Sequence, residues 1–299
     1  MTDERSDAES VDVSVVIPFG GGDDLLAQQL AAVDASIAQA WSAAGVRSEI
    51  IVSANSRLAD SGQSAFPGTR SPLRVIDSTD RRGAPHARNV GVAQARGALI
   101  LFCDSDDLVD EQWVTAMVEQ LRSHDVVAGG HELRSLNPRA AAPLRTPSTG
   151  PSHPYHWLPC GPSSNLAISR ELFTRIGGFD EDLRTSEDLD LCWRAQYAGG
   201  SFGWVETPLV RYRWRDTLSG HMRQTYRWGR DSADIVRKHR PYGLKPSIAG
   251  GLADVAGAIP RVGMLLFLPS RRWNAAGHVA RTWGRIAATV REGVWAVGG

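Results

Sequence analysis

Apolar and polar positions along this chain fall into blocks of two periods. Val13-Ser-Val-Val-Ile-Pro-Phe19 is a nearly continuous apolar run, which predicts a buried strand ended by Gly20, Gly21 and Gly22. Leu25, Leu26, Leu30 and Val33 then recur at helical spacing. Glu49–Ala54 and Leu73–Ile76 predict two short strands, Ala84–Arg96 a helix closed by Gly97, and residues 98–103 the next buried strand. Six prolines between Asn137 and Pro159 break all periodicity and predict a loop or partly mobile lid beside the acceptor. Regular structure resumes at Arg170–Ile176, continues in a helix from about Glu187 to Tyr197, and is strand-like over Leu209–Arg215. Such alternation predicts an α/β fold with a mixed, mainly parallel sheet flanked by helices. Ligands are then expected beyond the carboxyl ends of the strands, where Phe19 and Asp104 lie.

Beyond Pro241 the composition shifts to Gly, Ala, Arg and Trp. This divides the chain into an acidic tail (1–12) expected to be disordered, a domain (13–240) and a basic amphipathic helical extension (241–299). From Val279 onward Trp283, Ile286, Val290 and Val294 share one helical face, with Arg281, Arg285 and Glu292 opposite. Two readings follow for this helix: it lies in a membrane interface, where a lipid-linked acceptor is found, or it packs on the catalytic domain or a dimer partner. The longest apolar stretch nearby, Val262–Leu268, stops at Pro269, short of the roughly 20 residues that cross a bilayer.

Charge sharpens this picture. The formal net charge is zero, yet residues 221–299 hold 13 Lys/Arg against 4 Asp/Glu, a local balance of +9. A basic tail attracts anionic surfaces, and with no DNA- or RNA-binding signature the expected surface is lipid. The three cysteines show no C-x-x-C spacing, and the N-terminus lacks a secretory pattern. The expected location is cytoplasmic, peripheral on the inner face of the cell membrane.

Asp104-Ser-Asp-Asp107 directly follows an apolar strand, so its carboxylates emerge together at the ligand-binding edge. Hard oxygen ligands suit Mg²⁺ or Mn²⁺, and a cation there would neutralise charge on a nucleoside-diphosphate leaving group. The competing reading is an acidic turn capping a helix near Glu111. Ser186-Glu-Asp-Leu-Asp-Leu-Cys-Trp-Arg194 places Ser186 at an N-cap, two acids in the first turn, and Asp190 with Arg194 at i,i+4. Structurally, each acid stabilises the helix dipole by about 0.3–1 kcal/mol. Functionally, one takes a proton from an acceptor hydroxyl, typically a contribution of roughly 10² to 10⁴ in rate. Arg88 can reach a diphosphate or base, or be a solvated helix residue; Asn55 can bond a base edge or ribose.

In order, these blocks resemble the family-2 glycosyltransferases of the GT-A fold, from about Val13 to roughly Arg240. Val13–Pro18 resembles the nucleotide-binding start, Arg82–Gly91 the donor-binding Arg-Asn segment, and Leu99–Asp107 the strand and metal motif. Pro162–Asn165 with Gly177–Glu181 is similar to the segment lining both sugars, and Ser186–Asp188 to the motif holding the base. The resemblance implies a Rossmann-like GT-A domain with a C-terminal helical appendage. It also implies metal-dependent, inverting transfer from a nucleoside-diphosphate sugar to an acceptor hydroxyl, in glycan, cell-envelope or glycoconjugate biosynthesis. Asp188 is then the base, with Glu187 the alternative. Pro18, Phe19, Asn55, Arg88, Asp104 and Ser105 surround the donor, and Asp104 and Asp106 hold Mn²⁺ or Mg²⁺. His221 corresponds to a further metal ligand in some relatives; the other reading is a surface histidine.

One departure concerns the nucleobase: Ala54 stands where the family has an Asp, leaving Asn55 as substitute and UDP as the default nucleotide. This motivates a second function class, a non-catalytic nucleotide-sugar-binding or scaffolding protein. Nucleotidyl transfer is disfavoured because residues 20–24 hold no Lys or Arg, and nicotinamide binding because no G-x-G-x-x-G follows the first strand.

Overall fold

The computed structural model describes residues 10–56, 69–137, 150–268 and 271–297. Residues 1–9 of the acidic tail and 138–149 of the proline-rich stretch lie outside the described residues. One eight-stranded sheet organises the chain. Its strands are β1 (Val13–Phe19), β2 (Ser48–Ala54), β3 (Leu73–Asp77), β4 (Leu99–Cys103), β5 (Leu108–Val109), β6 (Val126–Glu132), β7 (Asn165–Ser169) and β8 (Phe202–Arg211), in the order β3-β2-β1-β4-β7-β6-β8-β5. The first four pair in parallel; β7 runs antiparallel to both β4 and β6, and β8 pairs parallel to β6 and antiparallel to β5. β1 and β2 are buried at every position, as an apolar run in a covered parallel sheet requires.

Helices cover both faces. α1 (Asp23–Ala44) and α3 (Trp113–Gln120) close one side, and α2 (Ala84–Ala93), α4 (Arg170–Arg175) and α5 (Glu187–Tyr197) the other. α2 ends before the expected Arg96, and Gly97 does not cap it. Gly97 instead presses on β1, where an added Cβ would lie 2.5 Å from the Ser14 nitrogen. The strand expected at Leu209–Arg215 begins seven residues earlier, at Phe202, and ends at Arg211.

The 241–297 region packs back on the sheet domain through α6 (Leu218–Arg230) and α7 (Ser232–His239), which precede α8 (Ile248–Phe267) and α9 (Arg272–Glu292). α9 meets α6 backbone to backbone: a Cβ on Gly229 would fall 2.0 Å from the Arg281 carbonyl oxygen, and one on Gly284 2.3 Å from that of Tyr226. The buried face of α9 is accordingly small, with Ala276, Gly277, Ala280, Gly284 and Ala288. Of the apolar residues that share the other face, Trp283 (64% exposed) and Val290 (81%) point to solvent rather than into the α6 contact, while Val294 lies beyond the helix and is buried. α8 continues through Pro260 and turns Ile248, Leu252, Ile259, Val262, Leu266 and Phe267 outward. At 20 residues and a mean hydropathy of 1.3 it is long and apolar enough to cross a membrane, correcting the shorter reading of Val262–Leu268. Asp254–Arg285 (2.8 Å) ties it to α9.

Beneath α5, fully buried Asp190 meets Arg194 (2.7 Å, the expected i,i+4 pair), Lys238 (2.6 Å) and His239 (3.1 Å). Burial alone would raise the Asp190 pKa, but the bonds from His239 and Arg194 and the nearby cations hold it well below the carboxylate range. Removing one partner of such a cluster strands buried charge, so Asp190→Asn is expected to cost about 3–5 kcal/mol in urea unfolding at pH 7. The native pKa is depressed, so this stabilisation is complete above the unfolded value of about 3.9 and fades as pH falls below it; an equal penalty at pH 3 and pH 7 would contradict the assignment. Gly284→Ala should cost about 1–3 kcal/mol by forcing α9 from α6, and an unchanged unfolding midpoint would show that the contact is loose.

Candidate active site

The carboxyl end of β4 releases Asp104, Asp106 and Asp107 into one corner, where their candidate ligand oxygens lie within 4.8 Å of one another. They do not cap a helix, because α3 begins at Trp113 without a side-chain cap. Asp107 is buried; its Oδ1 accepts from the Arg213 amide (2.8 Å) while its Oδ2 has no partner among the described residues. Burial, then the charges of Asp104 and Asp106, push the Asp107 pKa well up, and burial with Asp104 raises that of Asp106. An orphaned oxygen among crowded carboxylates fits a hard divalent cation. Asp107 and the supporting Arg213, whose Nε donates to the Asp106 carbonyl (2.9 Å), were not assigned roles from sequence.

Arg88 joins this corner to the start of α5. Its side chain is only 3% exposed, excluding the solvated-surface reading, and it donates to Asp104 Oδ1 (2.7 Å) and Glu187 Oε1 (3.0 Å). Ser186 stands at the N-cap of α5, as expected, but with a left-handed φ of 65° and no capping hydrogen bond from its side chain. The next two residues present their acids to the cleft. Burial and the Asp188 charge push the Glu187 pKa up to about 7 against the pull of Arg88. Asp188 has a raised pKa, chiefly from burial, while its carboxylate accepts from the amides of Leu189 (2.8 Å) and Ser163 (3.4 Å).

Two adjoining cavities share Ala84, Asp104 and Arg215. The smaller, about 310 Å³, is lined by Pro18, Phe19, Asn55, Ser105 and Asp106; the larger, about 660 Å³, by Arg88, Glu187 and Asp188. Asp104 thus stands in the wall between Asp106 and Asp188. Asn55 borders the smaller cavity, but its amide is engaged: it donates to the carbonyls of Ser78 and Arg81 and accepts from the Gly83 amide (2.7 Å). Its side chain thereby holds the 78–83 loop at the edge of this cavity. Asn89 is similarly structural, tying α2 to Phe179 and Glu181. Asn165 is buried, accepting from Trp113 Nε1 and donating to the Gly130 carbonyl, so Ser163 and Ser164 line the cleft in its place.

Other side chains reach this cleft without a sequence signal. His131 stacks on Tyr212 (4.7 Å), bonds Ser164 (2.9 Å), and is kept neutral by burial, with a pKa of about 4. Arg281 and Arg285 enter the larger cavity from α9. His221 does not join the acids: it is buried, with Trp214 and Trp273 at 5.2 and 5.4 Å, so it is no surface residue either. From the end of the proline-rich stretch Tyr155 lines the cleft, while Trp157 Nε1 donates to the Tyr197 hydroxyl (3.0 Å).

The sequence profile of glycosyl transferase family 2 matches residues 14–178, and that of glycosyl transferase family group 2 matches residues 153–280. A pre-mycofactocin glycosyltransferase of Mycobacterium tuberculosis is 25% identical over 251 residues, covering 77% of this chain and 53% of its own. The chain therefore spans about half the length of that relative. The mannosyltransferase PcManGT of Pyrobaculum calidifontis, solved with GDP-Man and Mn²⁺, superimposes with a TM-score of 0.61 at 19% identity, covering 93% of this chain and 86% of its own. TarS 1-349 of S. aureus with UDP-GlcNAc gives 0.54 at 15% identity, covering 95% and 93%. With a mixed sheet that carries an acidic cluster at the end of β4 and a profile match over more than half its length, the chain has the GT-A fold and belongs to glycosyl transferase family 2.

Proposed function

We propose that this chain transfers a sugar from a nucleoside-diphosphate donor to an acceptor hydroxyl with inversion, in glycan, cell-envelope or glycoconjugate assembly. The observation that carries the reading is the Arg88 bridge, which sets a cation-binding type of corner and a pair of helix-start acids against one cleft. The nucleoside occupies the cavity floored by Pro18 and Phe19, with Ser105 beside it. Asp104 and Asp106, assisted by Asp107, would hold Mn²⁺ or Mg²⁺, which supplies charge neutralisation to the departing diphosphate. Glu187 is committed to Arg88, whereas Asp188 forms no ion pair among the described residues and lines the larger cavity, so Asp188 is the base. It takes the hydroxyl proton as that oxygen bonds to the anomeric carbon, and the bond to the nucleoside diphosphate breaks on the opposite face.

A second component of the proposal is a cytoplasmic location with peripheral contact at the inner face of a membrane, in reach of a lipid-linked acceptor. It is supported by the outward apolar face of α8, with Trp283 and Val290 of α9 also exposed. A non-catalytic nucleotide-sugar binder, motivated by Ala54, is distinguished by turnover alone.

Slow donor hydrolysis with Mn²⁺ is expected from a donor panel and should vanish with EDTA. Asp188→Asn should keep donor affinity and lose turnover by about 10² or more; normal turnover would refute the base. Because burial raises the Asp188 pKa, turnover should climb with pH through a limb above the usual carboxylate value of about 3.9. The protein should float with anionic vesicles, and Ile259→Glu with Leu266→Glu should abolish this. Flotation unchanged by both substitutions would dismiss the α8 contact.

A further inference from the structure

The larger cavity is electrically divided. Asp104, Glu187 and Asp188 line one part, while Arg281 and Arg285 line another, one helical turn apart on α9. Arg285 spends one nitrogen on Asp254 (2.8 Å), and its buried Nε has no partner. Arg281 forms no ion pair or hydrogen bond among the described residues; its guanidinium lies over the Trp228 ring at 5.1 Å. Desolvation by its packed neighbours, then the like charge of Arg285, lowers the Arg281 pKa to about 10 against the opposite pull of Tyr155 and Asp254.

Two adjacent guanidiniums with free donors form a fork for an oxyanion, and a stacked aromatic face holds one of them in place. Buried polar atoms left without partners mark where a ligand supplies them. We propose that Arg281 and Arg285 form an anion subsite that selects acceptors bearing a phosphoryl or carboxylate group near the reacting hydroxyl. The inference rests on the transferase reading for the word acceptor. It also gives the basic C-terminal region a chemical role inside the cleft. The close approach at Gly229 and Gly284 is what brings these arginines against α6.

The test is binding without donor or metal, so that it is independent of turnover. Calorimetry with inorganic phosphate and EDTA reads a soluble anion, and flotation with phosphatidate rather than phosphatidylcholine vesicles reads a lipid phosphate. At least one probe should bind the wild type, and Arg281→Gln should weaken that binding by about tenfold or more. Arg281→Lys, which keeps the charge and loses the fork, should bind better than Arg281→Gln. Loss with the first probe names a soluble source, and loss with the second a lipid. If neither probe binds the wild type, or Arg281→Gln binds as the wild type does, the subsite is overturned while donor hydrolysis still stands as the test of the transferase. Arg281-dependent binding without any donor turnover would leave the subsite and remove the transferase reading.

Discussion

A single buried guanidinium holds the cleft together. Arg88 is nearly without solvent, so its charge needs partners inside the protein, and those it finds are Asp104 at the end of β4 and Glu187 at the start of α5. The dependence is mutual. Asp104, Asp106, Asp107, Glu187 and Asp188 gather around connected cavities, and without a cation between them their desolvation and repulsion would drive them apart or protonate them. The raised pKa values of Asp106, Asp107, Glu187 and Asp188 are the residue of that conflict.

Around this centre, side chains that look like ligand contacts act as fasteners. Asn55 pins the 78–83 loop that leads into α2, and Asn89, one position after Arg88, fixes the turn at Phe179 and Glu181. These bonds orient α2, and α2 orients Arg88. The arrangement leaves the acids, the Ser163–Ser164 segment and the arginines of α9 to face the cleft. Glycines at the α6–α9 contact extend the same logic outward, since only backbone-close packing lets α9 wall the larger cavity.

Much of this was legible in the chain itself. β1, β2 and α5 follow their apolar periods, and the Asp-Ser-Asp-Asp and Glu-Asp blocks mark both acidic poles. Less legible were β6, whose Val-Val-Ala-Gly-Gly-His-Glu has no clear period, and β8, interrupted by a glycine and a proline. The partners of Arg88 and Asn55 were not legible because they lie between 16 and 99 positions away, beyond any local pattern. The packed face of α9 was hidden in the sequence because its glycine-lined contact with α6 takes small residues and leaves the large apolar Trp283 and Val290 outside. In α8, Ala and Gly dilute the apolar face, and Pro260 reads as a breaker although the helix runs through it.

The most direct test of the central charge arrangement is the thermal stability of Arg88→Met against the wild type between pH 5 and pH 8, in EDTA. If Arg88 balances converging carboxylates, the variant loses less at pH 5, where its partner Glu187, with a pKa of about 7, is protonated, and several degrees more at pH 8, where Glu187 is ionised. A deficit that stays the same across that range would contradict the account, because it would mean that Arg88 fills space rather than compensating charge.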